Sequence, residues 1–327
     1  SENMENWNTI SISGYHIREA GATAVEELAF TFSNAIAYTE AAIDKGLDVN
    51  IFSQKMSFFF NSHNDFFEEV AKFRAARKIW ANIMKKRFNV SSKKGQMCRF
   101  HTQTAGSTLQ AQQIDNNIIR TTMQATAAIL GGTQSLHTNS KDEALSLPTE
   151  ESAQIALRTQ QILAYETGVP NVVDPLAGSY YIEDLTNQIE GKTLQLISKI
   201  DELGGSISAI ENNFQQNKIA DSAYKYQKSI DNNEQVIVGV NKFQNSNSTD
   251  SDNLFEIDHQ SSKDQLNRLS IFKQSRHKNI AQNSLNNLTT AIHEGDNLVP
   301  HVVDCIKSKC TLGEICDTMK KEFGEYI

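Results

Sequence analysis

In the first part of the chain, short β-like runs are separated by long runs with apolar residues at steps of three and four. The short runs predict β-strands at 9–14, 55–60, 97–102 and 133–138. The intervening runs predict helices at 22–45, 65–87 and 107–130. Strands that alternate with helices in this way are typical of a parallel sheet with right-handed crossovers.

The number of strand–helix units restricts the fold. A closed (β/α)8 barrel has eight such units, whereas the pattern shows four strands. Four parallel strands alone leave two unpaired edges and an uncovered inner face. We therefore predict an α/β fold that forms half of a TIM-type barrel, and we expect the other half to lie outside this chain.

The pattern after residue 149 is mainly helical. One helix is predicted at 150–166, before Gly168, and another at 185–203, before Gly204. A stretch rich in Asn, Ser, Asp and Gln predicts a polar linker. The predicted organisation is four βα units over 1–150, a helical continuation over 151–243, a linker over 244–263 and a C-terminal helical segment over 264–327.

One face of the predicted sheet is polar. In the first strand, Ile10 and Ile12 alternate with residues that carry hydroxyl groups. The polar positions of three strands are Thr9, Ser11, Ser13 and Tyr15, then Arg99, His101 and Gln103, and finally Ser135, His137 and Asn139. Ordinary barrels fill their interior with Val, Ile and Leu. A polar inner face therefore predicts a hollow wide enough for an extended polar ligand.

Histidines stand near the ends of three predicted strands. Any one of His16, His101 and His137 taken alone is most simply a hydrogen-bonded buried residue. Together they favour an active site, because barrel active sites form at the C-terminal ends of the strands. The sequence has no HExxH pair, and the cysteine spacing matches no zinc knuckle. We therefore predict no metal site, and we interpret the last three cysteines as small apolar helix residues.

Composition excludes several functional classes. The net charge is -8 and the isoelectric point is near 5.5, which disfavours general nucleic-acid binding. No apolar run approaches the roughly 20 residues needed to cross a bilayer, and the polar first residues do not resemble a signal peptide. We expect a cytoplasmic protein with neither a membrane nor a nucleic acid as partner.

Five segments carry a more specific signal. They are ISISGYHIREAGA at 10–22, HTQTAG at 101–106, GTQSLHTNS at 132–140, VDPLAGSY at 173–180 and IVGVNK at 237–242. In this order they resemble the large catalytic subunit of the methylmalonyl-CoA mutase family of adenosylcobalamin-dependent acyl-CoA mutases. The resemblance covers nearly the whole chain and implies the second half of the catalytic barrel, followed by a C-terminal helical extension.

The resemblance implies a radical 1,2 rearrangement of the carbon skeleton of an acyl-CoA. In the family, homolysis of the cobalt–carbon bond of adenosylcobalamin starts the reaction, so the cofactor carries the difficult chemistry and the protein positions the groups. The DxHxxG segment that supplies the lower cobalt ligand is absent here. The implied partners are a chain with the other half-barrel and a cobalamin-binding subunit, in a hetero- or homo-oligomer.

The resemblance also assigns roles to individual residues. Tyr15 corresponds to the catalytic tyrosine near the adenosyl group, and His16 to the histidine that hydrogen-bonds the thioester carbonyl. The implied substrate and CoA contacts are Lys55, Ser57, His101, Gln103, Gln134 and Ser135. The implied cofactor contacts at the corrin-facing rim are Glu19, Gly106, Asn139, Glu143 and Ala144.

Some features leave the substrate and the activity open. Lys55 stands where many members have an arginine, which changes the geometry of a CoA contact. Residues 59–67 resemble the isobutyryl and 2-hydroxyisobutyryl forms more than the mammalian methylmalonyl form. The substrate is therefore of the methylmalonyl/succinyl-CoA type or of the isobutyryl/2-hydroxyisobutyryl-CoA type. Two alternatives to a catalytic component are a noncatalytic truncated paralogue or assembly module, and an unrelated barrel that binds a nucleotide-like ligand.

Overall fold

The computed structural model describes residues 7, 8, 10–245, 254, 255 and 258–325. These form two compact units, the first ending at Phe255 and the second made of the helices from His259 onward. Thr9, which we predicted to begin the first strand, lies outside the described residues, as do 246–253 in the predicted linker. The first helix of the second unit begins within the predicted linker, at His259.

The first unit is built on a parallel four-stranded sheet with the strand order β1-β2-β3-β4. The strands are β1 Ser11–Ser13, β2 Ser57–Ser62, β3 Phe100–Thr104 and β4 Ser135–His137. The mixed α/β class and the parallel sheet are thus confirmed. Strands β2 and β3 start and end later than predicted, because each continues through two polar residues, 61–62 and 103–104, that the predicted bounds left out.

Helices connect successive strands. They are α1 Tyr15–Glu19, α2 Ala24–Asp44, α3 Val49–Phe52, α4 Phe66–Lys86 and α5 Asn116–Leu130. Thr23 and Glu26 form a reciprocal capping box that fixes the start of α2. Helix α5 starts nine residues later than the predicted 107 because a short 3-10 turn, Gly106–Thr108, and a loop precede it.

Four further helices complete the first unit. They are α6 Glu150–Tyr165, α7 Tyr180–Glu202, α8 Gly205–Glu211 and α9 Phe214–Asp231. Helix α7 begins at Tyr180 instead of the predicted 185, and the side chain of Ser179 forms no capping hydrogen bond. This start therefore lacks the usual signal of a side-chain cap. Helix α7 packs against α2 and α4.

The main core lies between one face of the sheet and the helices α2 and α4. Phe58 of β2 packs edge-on against Trp80 of α4, with the ring centroids 4.8 Å apart, and Trp80 stacks on Phe32 of α2. Cys98, just before β3, is buried in the same core. Since successive strand residues point to opposite faces, this packing leaves Ser13, His101 and Ser135 on the other face.

The second unit has its own small core. Its helices are α10 His259–Ser275, α11 Lys278–Glu294, α12 Leu298–Lys307 and α13 Leu312–Phe323. Leu288 and Cys305 are fully buried there. Cys310 is also buried, but it lies between α12 and α13, and Cys316 of α13 is exposed. The interpretation of these cysteines as apolar helix residues was therefore right for Cys305 only. None of the helices in the described ranges is long and apolar enough to span a bilayer.

Candidate active site

The strand register aligns polar residues and one phenylalanine in rows across the uncovered face of the sheet. One row consists of Ser13, Phe59, His101 and Ser135, which are paired successively from β1 to β4. The next row toward the carboxyl ends of the strands consists of Asn61, Gln103 and His137. Most of the predicted site residues lie in these rows or in the loops that directly follow the strands.

Tyr15 and His16 follow β1 directly and begin the five-residue helix α1. The Tyr15 ring stacks on Phe59 of β2, with the centroids 4.8 Å apart and the planes at 4°, and the His16 ring packs edge-on to Tyr15 at 5.4 Å. Tyr15 is buried, whereas His16 is exposed. The contact with Phe59 orients the phenol, and the imidazole stays open to a ligand.

Acidic and amide groups surround the Tyr15 hydroxyl. Burial raises the pKa of Tyr15 well above its usual range, and the charges of Glu19 and Glu143 raise it further. Hydrogen bonds from the Asn139 side chain and the Gly106 backbone act in the opposite direction. The phenol is therefore neutral at physiological pH and able to donate a hydrogen bond.

Glu19 forms the acidic centre of the rim, the edge of the sheet at the carboxyl ends of the strands. Its Oε1 accepts a hydrogen bond from Asn61 Nδ2 at 2.6 Å, and its Oε2 accepts one from the Ser107 backbone N–H at 2.8 Å. Ser107 Oγ also donates to Glu19 Oε1, at 3.1 Å. Charge-assisted bonds of this kind hold the carboxylate in one place, beside the loop that follows β3.

Asn139 is held by the end of β3. Its side chain donates to the Thr104 carbonyl and accepts from Gln103 Nε2, both at 2.9 Å. A Cβ atom at Gly106 would lie 3.1 Å from both Asn139 Nδ2 and Glu19 Oε2. The absence of a side chain at Gly106 thus lets the β3 loop approach both polar groups closely.

The middle of the uncovered face carries an imidazole pair. His101 Nδ1 and Ser135 Oγ share a hydrogen bond of 2.7 Å, and His137 is exposed one row further along. Burial, together with the nearby His137, lowers the pKa of His101. A neutral His101 can both donate and accept hydrogen bonds, as a polar ligand requires.

The remaining predicted substrate contacts lie toward the amino ends of the strands. Lys55 ends a short 3-10 turn before β2, and Ser57 Oγ donates to the Ile10 carbonyl at 3.4 Å. The Gln134 side chain accepts from the Phe100 N–H at 2.6 Å and donates to a carbonyl of its own loop. The structure thus separates these residues from the rim group, and Gln134 is bound to backbone atoms.

Glu143 and Ala144 are exposed in the loop after β4. Burial is the main cause that raises the pKa of the Glu143 carboxyl, although His137 acts to lower it. Glu143 therefore lies close enough to the rim to be influenced by the charges of Glu19 and His137.

Sequence reasoning missed four residues that build this site. Asn61, Thr104 and Ser107 bind Glu19 or Asn139, and Phe59 supports Tyr15. The signal was present at Asn61, a polar residue directly after an aromatic run in β2. It was hard to use, because its partner is 42 residues away in the sequence.

A pocket of about 740 Å³ opens beside the rim, lined by residues that include Glu19, His63, Glu68 and Tyr226. Burial lowers the pKa of His63 to about 3, helped by the charges of Arg18 and Lys72, so this ring is neutral at pH 7.

Within the described residues, no group of three or more His, Cys, Asp and Glu side chains could hold a metal ion.

Comparison with known proteins assigns the family. The family model described as methylmalonyl-CoA mutase matches residues 1–325. The probable mitochondrial methylmalonyl-CoA mutase of Caenorhabditis elegans is 44% identical over 326 residues, which cover 100% of this chain and 44% of that protein. The methylmalonyl-CoA mutase of Rhizobium meliloti (strain 1021) is 44% identical over 328 residues, which cover 100% of this chain and 46% of that protein.

A third relative is named for a different substrate. The 2-hydroxyisobutanoyl-CoA mutase large subunit of Aquincola tertiaricarbonis is 40% identical over 327 residues, covering 100% of this chain and 58% of that protein. The chain thus spans about half the length of these relatives. Because the family model and the relatives match it from end to end, the chain belongs to the methylmalonyl-CoA mutase family.

Proposed function

We propose that this chain supplies the second half of the catalytic barrel of an adenosylcobalamin-dependent acyl-CoA mutase, an intramolecular transferase that performs a radical 1,2 rearrangement. The observation that carries the proposal is the two-faced sheet. Apolar residues of the strands pack against α2 and α4, whereas the opposite face carries Ser13, His101 and Ser135 in one register row. A polar face of this kind suits a ligand that lies along the strands.

Four complementary strands would complete the barrel. They would pair with the free edges of β1 and β4 and cover the polar face, so that the rows would line an enclosed hollow. These strands, and the cobalamin-binding domain, are supplied by other parts of the assembly, on the same polypeptide or on partner chains. The 2-hydroxyisobutanoyl-CoA mutase of Aquincola tertiaricarbonis is named as a large subunit, which supports a multi-chain arrangement.

The donor set at the rim fits adenosylcobalamin. Glu19 and Glu143 offer carboxylate acceptors, Asn139 offers an amide, and Gly106 allows close approach of the backbone. Such groups match the ribose hydroxyls and peripheral amides of that cofactor. We assign Glu19, Gly106, Asn139, Glu143 and Ala144 to its binding. When bound, the cofactor supplies the organic radical that abstracts hydrogen from the substrate.

The uncovered face fits an acyl-CoA. Lys55, Ser57, Gln134 and Ser135 would contact the CoA arm, which enters from the amino ends of the strands, while the reacting acyl group lies near the rim. His101 and Gln103 would then flank the acyl group. This direction agrees with the separation of the two groups of residues along the strands.

Tyr15 and His16 would act on the reacting centre. His16, exposed beside Tyr15, donates a hydrogen bond to the thioester carbonyl and stabilises charge that develops on that oxygen. Tyr15, neutral and fixed by Phe59, would lie beside the adenosyl group of the bound cofactor and would couple substrate binding to the start of the reaction.

The test is reconstitution. The chain would be purified with a complementary half-barrel and a cobalamin-binding domain, and turnover measured with adenosylcobalamin and both methylmalonyl-CoA and 2-hydroxyisobutyryl-CoA. We expect turnover with the assembled protein, and the preferred substrate identifies the acyl class. A stable assembly that binds the cofactor and turns over no acyl-CoA would contradict the catalytic proposal and favour an assembly module.

A pair of tyrosine variants localises the activity. We expect Tyr15→Phe to lower kcat by about tenfold or more, because one hydrogen bond to the reacting region is lost. Tyr180→Phe is the matched control, since Tyr180 is 95% exposed at the start of α7. Equal kcat values in both variants would show that the Tyr15 hydroxyl has no part in the reaction.

A further inference from the structure

A group of buried charges lies directly behind the rim and is not explained by the proposed chemistry. Lys72 of α4, Glu27 of α2 and Glu69 of α4 are each fully buried. Lys72 Nζ donates to Glu27 Oε2 at 2.7 Å, to Glu69 Oε2 at 2.5 Å and to the Asn61 carbonyl at 2.7 Å. An ammonium group has three N–H donors, so all of its hydrogen-bonding capacity is used here.

The same charges clamp the backbone of Asn61 from both sides. Glu27 Oε1 accepts from the Asn61 N–H at 2.7 Å, while Lys72 binds the Asn61 carbonyl. The side chain of Asn61 points toward the rim and donates to Glu19 Oε1 at 2.6 Å. A continuous path of hydrogen bonds therefore joins the buried ammonium of Lys72 to the rim carboxylate of Glu19.

A second connection reaches helix α1 from its other side. Arg18 lies 3.6 Å from Glu69 Oε1 and 3.5 Å from Glu68 Oε2, and it donates to the Ala22 carbonyl. Helix α1 has only five residues, and a helix of this length is not stable by itself. The orientation of α1 therefore depends on its contacts with the rest of the unit, which include the bonds of its last two residues, Arg18 and Glu19.

Packing leaves little freedom at this junction. A Cβ atom at Gly14, the residue before α1, would lie 2.9 Å from Glu27 Cγ. Buried ion pairs generally contribute little net stability, because desolvation of the charges offsets their attraction. A geometric role explains better why three charged side chains are buried at this position.

We infer that Lys72 and Glu27 are positioning residues, which fix Asn61 and through it hold Glu19 and helix α1 in register with the rim. The inference deepens the proposed function and rests on it for its catalytic consequence. The positions of Tyr15 and His16 at the start of α1 would then depend on charges that never touch a ligand.

The first test measures geometry in the chain itself, by NMR hydrogen exchange of the Ser107 N–H, which donates to Glu19 Oε2. In Lys72→Met we expect this exchange to become about tenfold faster, since one fixed acceptor is released. Exchange of the Ile197 N–H in α7 serves as an internal reference. Lys78→Met is the matched control, because Lys78 lies on the same helix but binds Glu190 at the surface.

A second variant tests the inferred positioning of Glu19 if Lys72→Met fails to fold. Asn61→Ala keeps the three buried charges and removes only the bond to Glu19. We expect the same acceleration at Ser107, with the reference amide unchanged. If a folded Lys72→Met or Asn61→Ala exchanges at Ser107 as slowly as the Lys78→Met control, the inference is overturned.

Kinetic measurements on the reconstituted mutase test the functional consequence. Lys72→Met is expected to lower kcat about tenfold while KM for the acyl-CoA changes less than about twofold, since α1 is misplaced but the CoA contacts remain. An unchanged kcat with a higher KM would overturn the positioning role. Because the exchange measurement needs neither cofactor nor substrate, failure of the proposed function leaves its result interpretable.

Discussion

The junction between β1 and α1 leaves no room for a methyl group at residue 14. Gly14 has φ -95° and ψ -19°, a backbone conformation that alanine also adopts, so backbone strain does not explain the glycine. An added Cβ would lie 2.3 Å from Thr31 Oγ1, 2.9 Å from Glu27 Cγ and 3.3 Å from Phe60 Cδ1. The expected effect of Gly14→Ala is therefore purely steric.

The size of the effect follows from what must move. Thr31 is fully buried, and its hydroxyl donates to the Glu27 carbonyl at 2.6 Å. Overpacking of a close-packed core costs about 1 to 3 kcal/mol, and loss of the Thr31 hydrogen bond adds about 1 kcal/mol. We expect Gly14→Ala to lower the free energy of unfolding by about 2 to 4 kcal/mol.

Gly191→Ala is expected to raise the free energy of unfolding of the same chain. Gly191 lies inside α7, and an added Cβ there meets nothing within 4 Å. Replacing a helix glycine by alanine stabilises by about 0.5 to 1 kcal/mol. Urea unfolding of both variants measures the free energies, and an unchanged dependence on urea concentration shows that the compactness of the states is preserved. A Gly14→Ala protein as stable as the parent would refute the steric argument.

Two further predictions concern the rim and the second unit. Gly106→Ala is expected to weaken binding of adenosylcobalamin to the reconstituted protein, measured by titration, because its Cβ would lie 3.1 Å from both Glu19 and Asn139; unchanged affinity would contradict this. Arg276 lowers the pKa of Glu314 from 4.5 to about 2. The ion pair between these residues therefore contributes to stability above pH 4.5, and this contribution is lost as the pH falls toward 2. The stability difference between the parent and Glu314→Gln, measured by urea unfolding, should therefore shrink over this range, and a constant difference would count against the ion pair.

The sequence predicted the parts of the fold that depend on periodicity. Strands β1 to β4 and the helices between them follow from alternating and helical patterns that local residues carry. Boundaries were less accurate where no local signal exists. Helix α5 starts at Asn116, and the Asp115 side chain forms no capping bond, so the predicted start at 107 had nothing to correct it.

The candidate site was predictable where its residues lie in recognisable motifs. Tyr15 and His16 are adjacent in one such motif, whereas the buried support behind them is formed by residues distant in sequence. Lys72 lies on a helix with many charges, where a lysine normally faces solvent, and its partner Glu27 is 45 residues away. Pairing of this kind depends on tertiary packing, which the pattern of a single helix does not encode.

The sheet also separates a cysteine thiol from the proposed reaction. Cys98 is buried in the core with Phe100, next to Arg77 of α4, on the side opposite His101. A thiol gives up its hydrogen atom to a carbon-centred radical more readily than most C–H bonds do. The helices thus shield this thiol, and a thiol introduced on the other face, as in Ser135→Cys, should increase the number of cofactor molecules inactivated per turnover. If inactivation per turnover is unchanged, stray hydrogen donors on that face are harmless to the enzyme.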